Sequence, residues 1–148
     1  MKRAILVALG TGALISSAAA IGIGMTSAAS SRLSRADFQH GLDTAREVRT
    51  AALARCDGLR NAERDACRAE ADAEAAVRVA DLEADFQRTQ EASRNAQKVR
   101  IESRYQVRRA QCQVLGGFKR DKCLVSAHAE RGRALLDVAA PYAVRYVH

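Results

Sequence analysis

The side chains here whose type and spacing could support chemistry are the four cysteines. They fall in two stretches, Cys56–Cys67 (CDGLRNAERDAC) and Cys112–Cys123 (CQVLGGFKRDKC), fifty-six residues apart. Both read C-x-x-L-x-[NG]-x-x-R-D-x-C, so Leu59, Arg64 and Asp65 match Leu115, Arg120 and Asp121. The likeness continues with Ala71, Ala73 and Asp81 against Ala127, Ala129 and Asp137. Thiols can ligate zinc, exchange disulfides or form structural cystines. Zinc sites usually draw cysteines from pairs about two to four residues apart, and redox centres favour C-x-x-C, whose helix N-terminus lowers a thiol pKa. Neither spacing occurs, so structural disulfides are expected.

Four cysteines allow three pairings. On one continuous helix, Cys56 and Cys67 would lie about 16 Å apart, against a limit of about 7 Å between the Cα atoms of a disulfide. They can bond only if the chain turns between them, and Gly58–Asn61 offers the turn. Gly116–Gly117 does the same between Cys112 and Cys123. The expected pairing is therefore Cys56–Cys67 with Cys112–Cys123. A Cys56–Cys112 type of link and a four-cysteine zinc site are the alternatives. Each motif becomes a helical hairpin pinned near its bend, with Leu59 and Leu115 plugging the corners. Closing a loop of this length should stabilise by roughly 3 kcal/mol in the chain-entropy model.

The elements that must position these corners are helices. The chain has 148 residues with one Pro, no Trp and 31 Ala, and Arg, Glu, Gln and Leu are prominent. That composition favours helix. From residue 31 onward only 23 residues are Leu, Ile, Val or Phe, close to the level at which a chain cannot bury enough apolar surface to fold. A core this thin usually needs a covalent staple. The fold expected is all-α, two tandem disulfide-pinned hairpins forming a four-helix bundle or an elongated antiparallel arrangement.

Ser34-Arg35-Ala36-Asp37 reads as a capping box, with Leu33 and Phe38 placed for a hydrophobic staple. A rival start is Thr44-Ala45-Arg46-Glu47, because Gly41 weakens the preceding turn. Phe38, Leu42, Ala45, Val48, Ala52 and Cys56 form a helical stripe ending near Gly58. Asn61 reads as the next N-cap. From Asn61 to Leu115 there is neither Gly nor Pro, which would give one very long helix. A break is expected at Arg88-Thr89-Gln90, where charge changes sign and Thr89 can cap. The third helix carries Ala92, Ala96, Val99, Tyr105, Cys112 and Leu115. The fourth runs from Phe118 to about Ala139, uses Leu124, Val125, Leu135, Leu136 and Val138, and is stopped by Pro141. The resulting division is 34–87 for the first hairpin, 88–140 for the second and 141–148 for a tail.

Lys2 and Arg3 precede an uncharged run to Ser31, the pattern of a secretory signal peptide over residues 1–29. Cleavage is expected after Ala20 or Ala29, leaving a linker at 30–33. A retained leader would instead anchor a coiled-coil scaffold, since Ala4–Met25 is long enough to span a membrane. Export places the cysteines where disulfides persist.

The net charge of +7 is unevenly spread. Residues 62–87 hold eight acids against Arg64, Arg68 and Arg78, and residues 88–133 hold twelve bases against Glu91, Glu102, Asp121 and Glu130. Two oppositely charged helices lying side by side would explain this. A basic face for nucleic acid, lipopolysaccharide or anionic membrane is the alternative. His40, His128 and His148 lack metal spacing. Tyr105, Tyr142 and Tyr146 make a poor stacking inventory for nucleic acid. No nucleophile-elbow, zinc-protease, P-loop or dinucleotide fingerprint occurs in the mature region. No catalytic residue, cofactor, metal or small-molecule substrate is expected, and no enzymatic activity.

The doubled cysteine motif, followed in its first copy by RAEADAEAAV, resembles a family of small exported proteins of Gram-negative bacteria. In these a repeat like C-x-x-L-x-G-N-A-K-D-x-C-x-x-E-A-K-A occurs twice around an Ala/Glu/Arg-rich helical stretch. The likeness covers roughly residues 44–138. Asn61 stands where the family has Gly, and FQRTQEASR lacks the family's prolines at the mid-chain break. The resemblance implies export and disulfides. The function expected is that of a periplasmic or secreted structural or interaction protein in envelope maintenance or stress, with an unidentified protein or envelope partner. It carries over no active site.

Overall fold

The structure is a computed structural model of the chain. It describes residues 32–143, with backbone alone for 141–143. The expected leader at 1–29, its anchoring alternative, Tyr146 and His148 lie outside the described residues. Four helices follow in order: α1 (Arg35–Cys56), α2 (Asn61–Gln87), α3 (Gln90–Val114) and α4 (Gly117–Ala143). Among the described residues there is no strand, and no helix is long and apolar enough to cross a membrane.

α1 starts where the sequence places it. The Ser34 hydroxyl oxygen accepts the Asp37 backbone N–H at 3.1 Å and donates to the Asp37 carboxylate at 2.6 Å. Asp37 thus closes the cap on the Ser34 side chain. Gly41 sits inside α1 and does not delay its start. A Cβ there would come within 2.8 Å of a Leu82 methyl, so the glycine lets α2 approach. Phe38 stacks on Phe86 with ring centroids 4.6 Å apart, closing the hairpin end opposite the cystine.

The long-helix alternative is settled at Arg88-Thr89. Arg88 adopts the left-handed conformation (φ 51°) as the α2 C-cap, with its N–H bonded to the Ala84 carbonyl at 2.9 Å. Thr89 returns to extended backbone, and its hydroxyl accepts the Ala92 N–H at 3.1 Å. A two-residue turn therefore reverses the chain without Gly or Pro.

Each helix packs on its neighbours in sequence. Among the described residues α1 touches α2 alone, α2 also meets α3, and α3 also meets α4. The elongated arrangement is the one adopted, with no closing contact between α1 and α4. Cross-links along each pair show antiparallel register. Arg49 bonds Asp72 between α1 and α2, Arg100 bonds Asp81 and Gln111 bonds Glu70 between α2 and α3, and Tyr105 meets His128 between α3 and α4.

The interior of this layer is alanine and cystine. The buried hydrophobic positions are eight alanines with Cys56 and Cys112, and no polar or charged residue is buried among those described. Alanine lets helix backbones approach closely and loses no side-chain entropy on ordering. It also contributes little burial, about 0.8 kcal/mol for a methyl-sized group.

Several expectations are corrected at the corners. Asn61 is not an N-cap. Arg60 holds that position, and Asn61 follows in the left-handed region at φ 50°. Gly117, its counterpart in the second motif, has φ 52°. The chain must reverse within a few residues of each cysteine, and one left-handed residue achieves this. Gly takes that conformation freely and Asn is among the few other residues enriched there. Leu59 and Leu115 do not plug the corners. Both are exposed, because the cystine already fills the space between the helices. Leu115 also falls outside the α3 stripe, as the helix's extended C-cap. Pro141 does not stop α4, which runs to Ala143. So near the helix end the missing N–H removes a single bond, the one that the Asp137 carbonyl would accept.

The left-handed corners give a direct test. Gly117→Ala and Asn61→Ala should each destabilise by about 1–2 kcal/mol, whereas Asn61→Gly should be neutral or slightly stabilising. Urea unfolding followed by circular dichroism measures all three. Equal stability for Gly117→Ala would remove the left-handed requirement.

Candidate functional site

The four cysteines form two cystines, Cys56–Cys67 and Cys112–Cys123, with Cα separations of 5.7 and 5.6 Å. No cysteine is free. The zinc site and the Cys56–Cys112 link are both overturned, because the corners bring each cysteine to its motif partner. In each pair the cysteine in the last turn of the first helix is fully buried, and its partner is half-buried. The conserved-looking arginines differ in role between copies. Arg64 Nε donates to the Leu59 carbonyl at 2.9 Å, bracing the first corner. Arg120 instead pairs with Asp121 at 3.4 Å.

Away from the corners the two hairpins diverge at matching positions. Arg49 and Asp72 form an ion pair at 2.6 Å between α1 and α2. Fifty-six residues on, the same two places hold Tyr105 and His128, whose hydroxyl and Nε2 lie 3.2 Å apart. Above them, the Arg131 guanidinium lies 5.2 Å from the Tyr105 ring centroid. Arg131 also bonds the Glu102 carboxylate.

Tyr105 and Arg131 line an open groove of about 280 Å³ between α3 and α4, together with Arg104, Arg108 and Arg133. Glu130 and Asp137 line it as well. Arg104, Arg108 and Arg133 make no ion pair among the described residues. The groove therefore gathers four arginines against two carboxylates around one aromatic ring. Sequence reasoning located the basic segment, but not which of its arginines converge. Their convergence depends on the α3–α4 register that the second cystine sets.

The other sequence candidates do not assemble. His40 is exposed on α1, remote in sequence from the Tyr105–His128 contact. Among the described residues no group of His, Cys, Asp or Glu could hold a metal ion. The charge split has a structural role as well. Acidic α2 lies along basic α3, tied by Arg100–Asp81 at 2.7 Å.

Arg131 holds the Glu102 carboxyl below the usual carboxylate range. Partial burial opposes this, and a hydrogen bond from Gln106 adds to it. A carboxyl with a depressed folded pKa stabilises the fold above its unfolded value, and that contribution is lost as pH falls through the folded value. Both partners of the pair are well exposed, so its contribution is about 0.5 kcal/mol.

The chain matches no protein family, no curated protein and no solved structure. The fold and its surfaces alone carry the functional argument.

Glu102→Gln should lower stability by about 0.5 kcal/mol at neutral pH. The difference from the parent should shrink as pH falls through the lowered folded value and the carboxyl takes up its proton. Thermal unfolding across pH measures this. A difference independent of pH would show that the ion pair contributes nothing.

Proposed function

We propose that this chain is an exported helical interaction protein of the cell envelope, acting through the surfaces of two disulfide-pinned hairpins and not through catalysis. The observation that carries this reading is the pair of cystines in an all-alanine interior. Helices with so little buried area depend on their cross-links, and those persist in an oxidising compartment. The positive, then uncharged, N-terminal stretch agrees with export. Long helices with solvated faces suit a binding scaffold.

A second reading is favoured by one observation, the convergence of Arg104, Arg108, Arg131 and Arg133 around Tyr105. Guanidinium groups bind phosphate and carboxylate in fork geometry. The groove would then engage a polyanion such as nucleic acid, lipopolysaccharide or an anionic membrane.

For the first reading, mass spectrometry of the protein from fractionated cells should find both cystines intact in the exported pool. Cys56→Ser with Cys67→Ser, or Cys112→Ser with Cys123→Ser, should each cost about 3 kcal/mol and reduce accumulation. A reduced, cytoplasmic protein of undiminished stability would overturn it. For the second, binding to a nucleic acid or to anionic vesicles should weaken with salt. Arg104→Ala with Arg108→Ala should reduce the salt slope by about two. No binding at low salt would overturn that reading.

A further inference from the structure

The two corners share a backbone and differ in what they show to solvent. Both lie at one end of the layer, since α2 and α3 run antiparallel and Gln111 donates to Glu70 just inside that end. Each turns through a left-handed residue, Asn61 or Gly117, and each displays an exposed leucine, Leu59 or Leu115. The other positions between the cysteines change in two directions at once. Gly58 and Ala62 of the first motif correspond to Val114 and Phe118 in the second. Asp57, Glu63 and Ala66 correspond to Gln113, Lys119 and Lys122. Residues 57–66 thus hold three acids against Arg60 and Arg64, while 113–122 hold Lys119, Arg120 and Lys122 against Asp121 alone.

Every residue from 113 to 122 is exposed. Phe118 is 82% exposed, Val114 47% and Leu115 42%. A Cβ added at Gly116 or Gly117 would meet nothing within 4 Å, so no described residue overhangs the turn. Three apolar side chains therefore stand at the tip of the second hairpin with three cations among them. Arg120 is paired with Asp121 at 3.4 Å. Lys119 and Lys122 make no ion pair among the described residues.

Apolar side chains alone would suit a pocket on another protein, and cations alone would suit nucleic acid. Found together at an exposed tip, they match the headgroup boundary of an anionic bilayer. There a ring and aliphatic chains reach the acyl edge, and ammonium groups stay with the lipid phosphates. We propose that the second corner is a membrane-docking tip, whose Val114, Leu115 and Phe118 enter an anionic lipid surface while Lys119 and Lys122 bind its phosphates. The Cys112–Cys123 cystine holds the neck at 5.6 Å between Cα atoms. The tip is therefore ordered before it docks, and little freedom is lost on binding. Asp57, Glu63 and Asp65 at the first corner are repelled by the same surface, which tilts the layer onto its second corner. The arginine groove is a separate surface, lined on α3 by Ile101, Arg104, Tyr105 and Arg108, outside the tip. The proposal rests on the surface-acting reading above and names its partner.

Vesicle sedimentation and fluorescence of the oxidised protein test it. Phe118→Trp gives the chain a single indole. On vesicles of phosphatidylcholine with phosphatidylglycerol, its emission should shift to the blue and be quenched by bromine on the lipid acyl chains. Leu59→Trp, at the first corner, should show neither. Leu115→Ala with Phe118→Ala should weaken binding to these vesicles by about tenfold or more, with helix content unchanged, since both positions are exposed. Lys119→Gln with Lys122→Gln should weaken it by about tenfold or more, toward the level on phosphatidylcholine alone. Arg104→Ala with Arg108→Ala should leave the blue shift at position 118 in place. No vesicle binding, binding indifferent to the corner substitutions, equal responses at 59 and 118, or an indole at 118 that stays solvated on bound protein would each overturn the proposal. So would loss of binding in the groove variant alone, which would assign the membrane to the groove. Any of these results with both cystines intact in the exported pool would overturn the docking tip and leave the broader reading standing.

Discussion

The fold rests on a cross-link between two helix ends and on the left-handed residue that lets those ends meet. In each motif the first cysteine sits in the last turn of a helix. Asn61 or Gly117 turns the chain five residues later, and the second cysteine returns within 5.7 Å between Cα atoms. An alanine seam cannot do this work alone. It presents nearly the same surface at every turn, so sliding one helix past the other by a turn loses little burial. Larger side chains would distinguish the registers, and here almost none are buried. The cystine selects one register at the corner, and the helix pair transmits it. Arg49 then meets Asp72, Gly41 accepts Leu82, and Phe38 reaches Phe86 at the far end.

Because the corner sets geometry, the rest of each hairpin is free to vary. An Arg49–Asp72 ion pair in one copy and a Tyr105–His128 contact in the other occupy the same place on the same scaffold. The first is a surface ion pair of small energetic worth. In the second, Tyr105 lines a groove, with Arg131 lying over its ring. Duplication of a pinned hairpin thus separates holding the fold from presenting a surface. The acidic α2 lies between, neutralising one flank of α3 and leaving arginines on the other.

How much of this was legible in the sequence depended on the range of the interaction. The caps at Ser34 and Thr89 act over three residues, and their side chains announce them. The cysteine pairing follows from chain geometry, because eleven residues of helix cannot close a disulfide. The Asn61 corner is ambiguous in sequence because Asn serves both as an N-cap and as a left-handed residue. Only the observed backbone angle, shared with Gly117, separates the two. Leu59 and Leu115 were placed inside on hydrophobicity alone, although the cystine leaves them no room. The apolar residues of α4 were read as one set, yet they serve two faces. Leu124, Leu135 and Val138 are half-buried, while Val125 and Leu136 are open. A single helix's periodicity does not reveal how many neighbours it has. That information comes from the order of packing.

The two exposed features of the second hairpin also differ in how ionic strength acts on them. α3 carries six basic residues against two acids, and the groove it shares with α4 concentrates guanidinium charge. Anything held there is held by Coulomb attraction and counterion release, which salt weakens. The outer face of α4 exposes Phe118, Val125 and Leu136, with Lys122 on the same seam. Anions excluded from the protein surface strengthen apolar burial at such a face. One surface should therefore loosen and the other tighten over the same range of salt. The direction of the response identifies which surface is at work, even in a mixture where both are occupied.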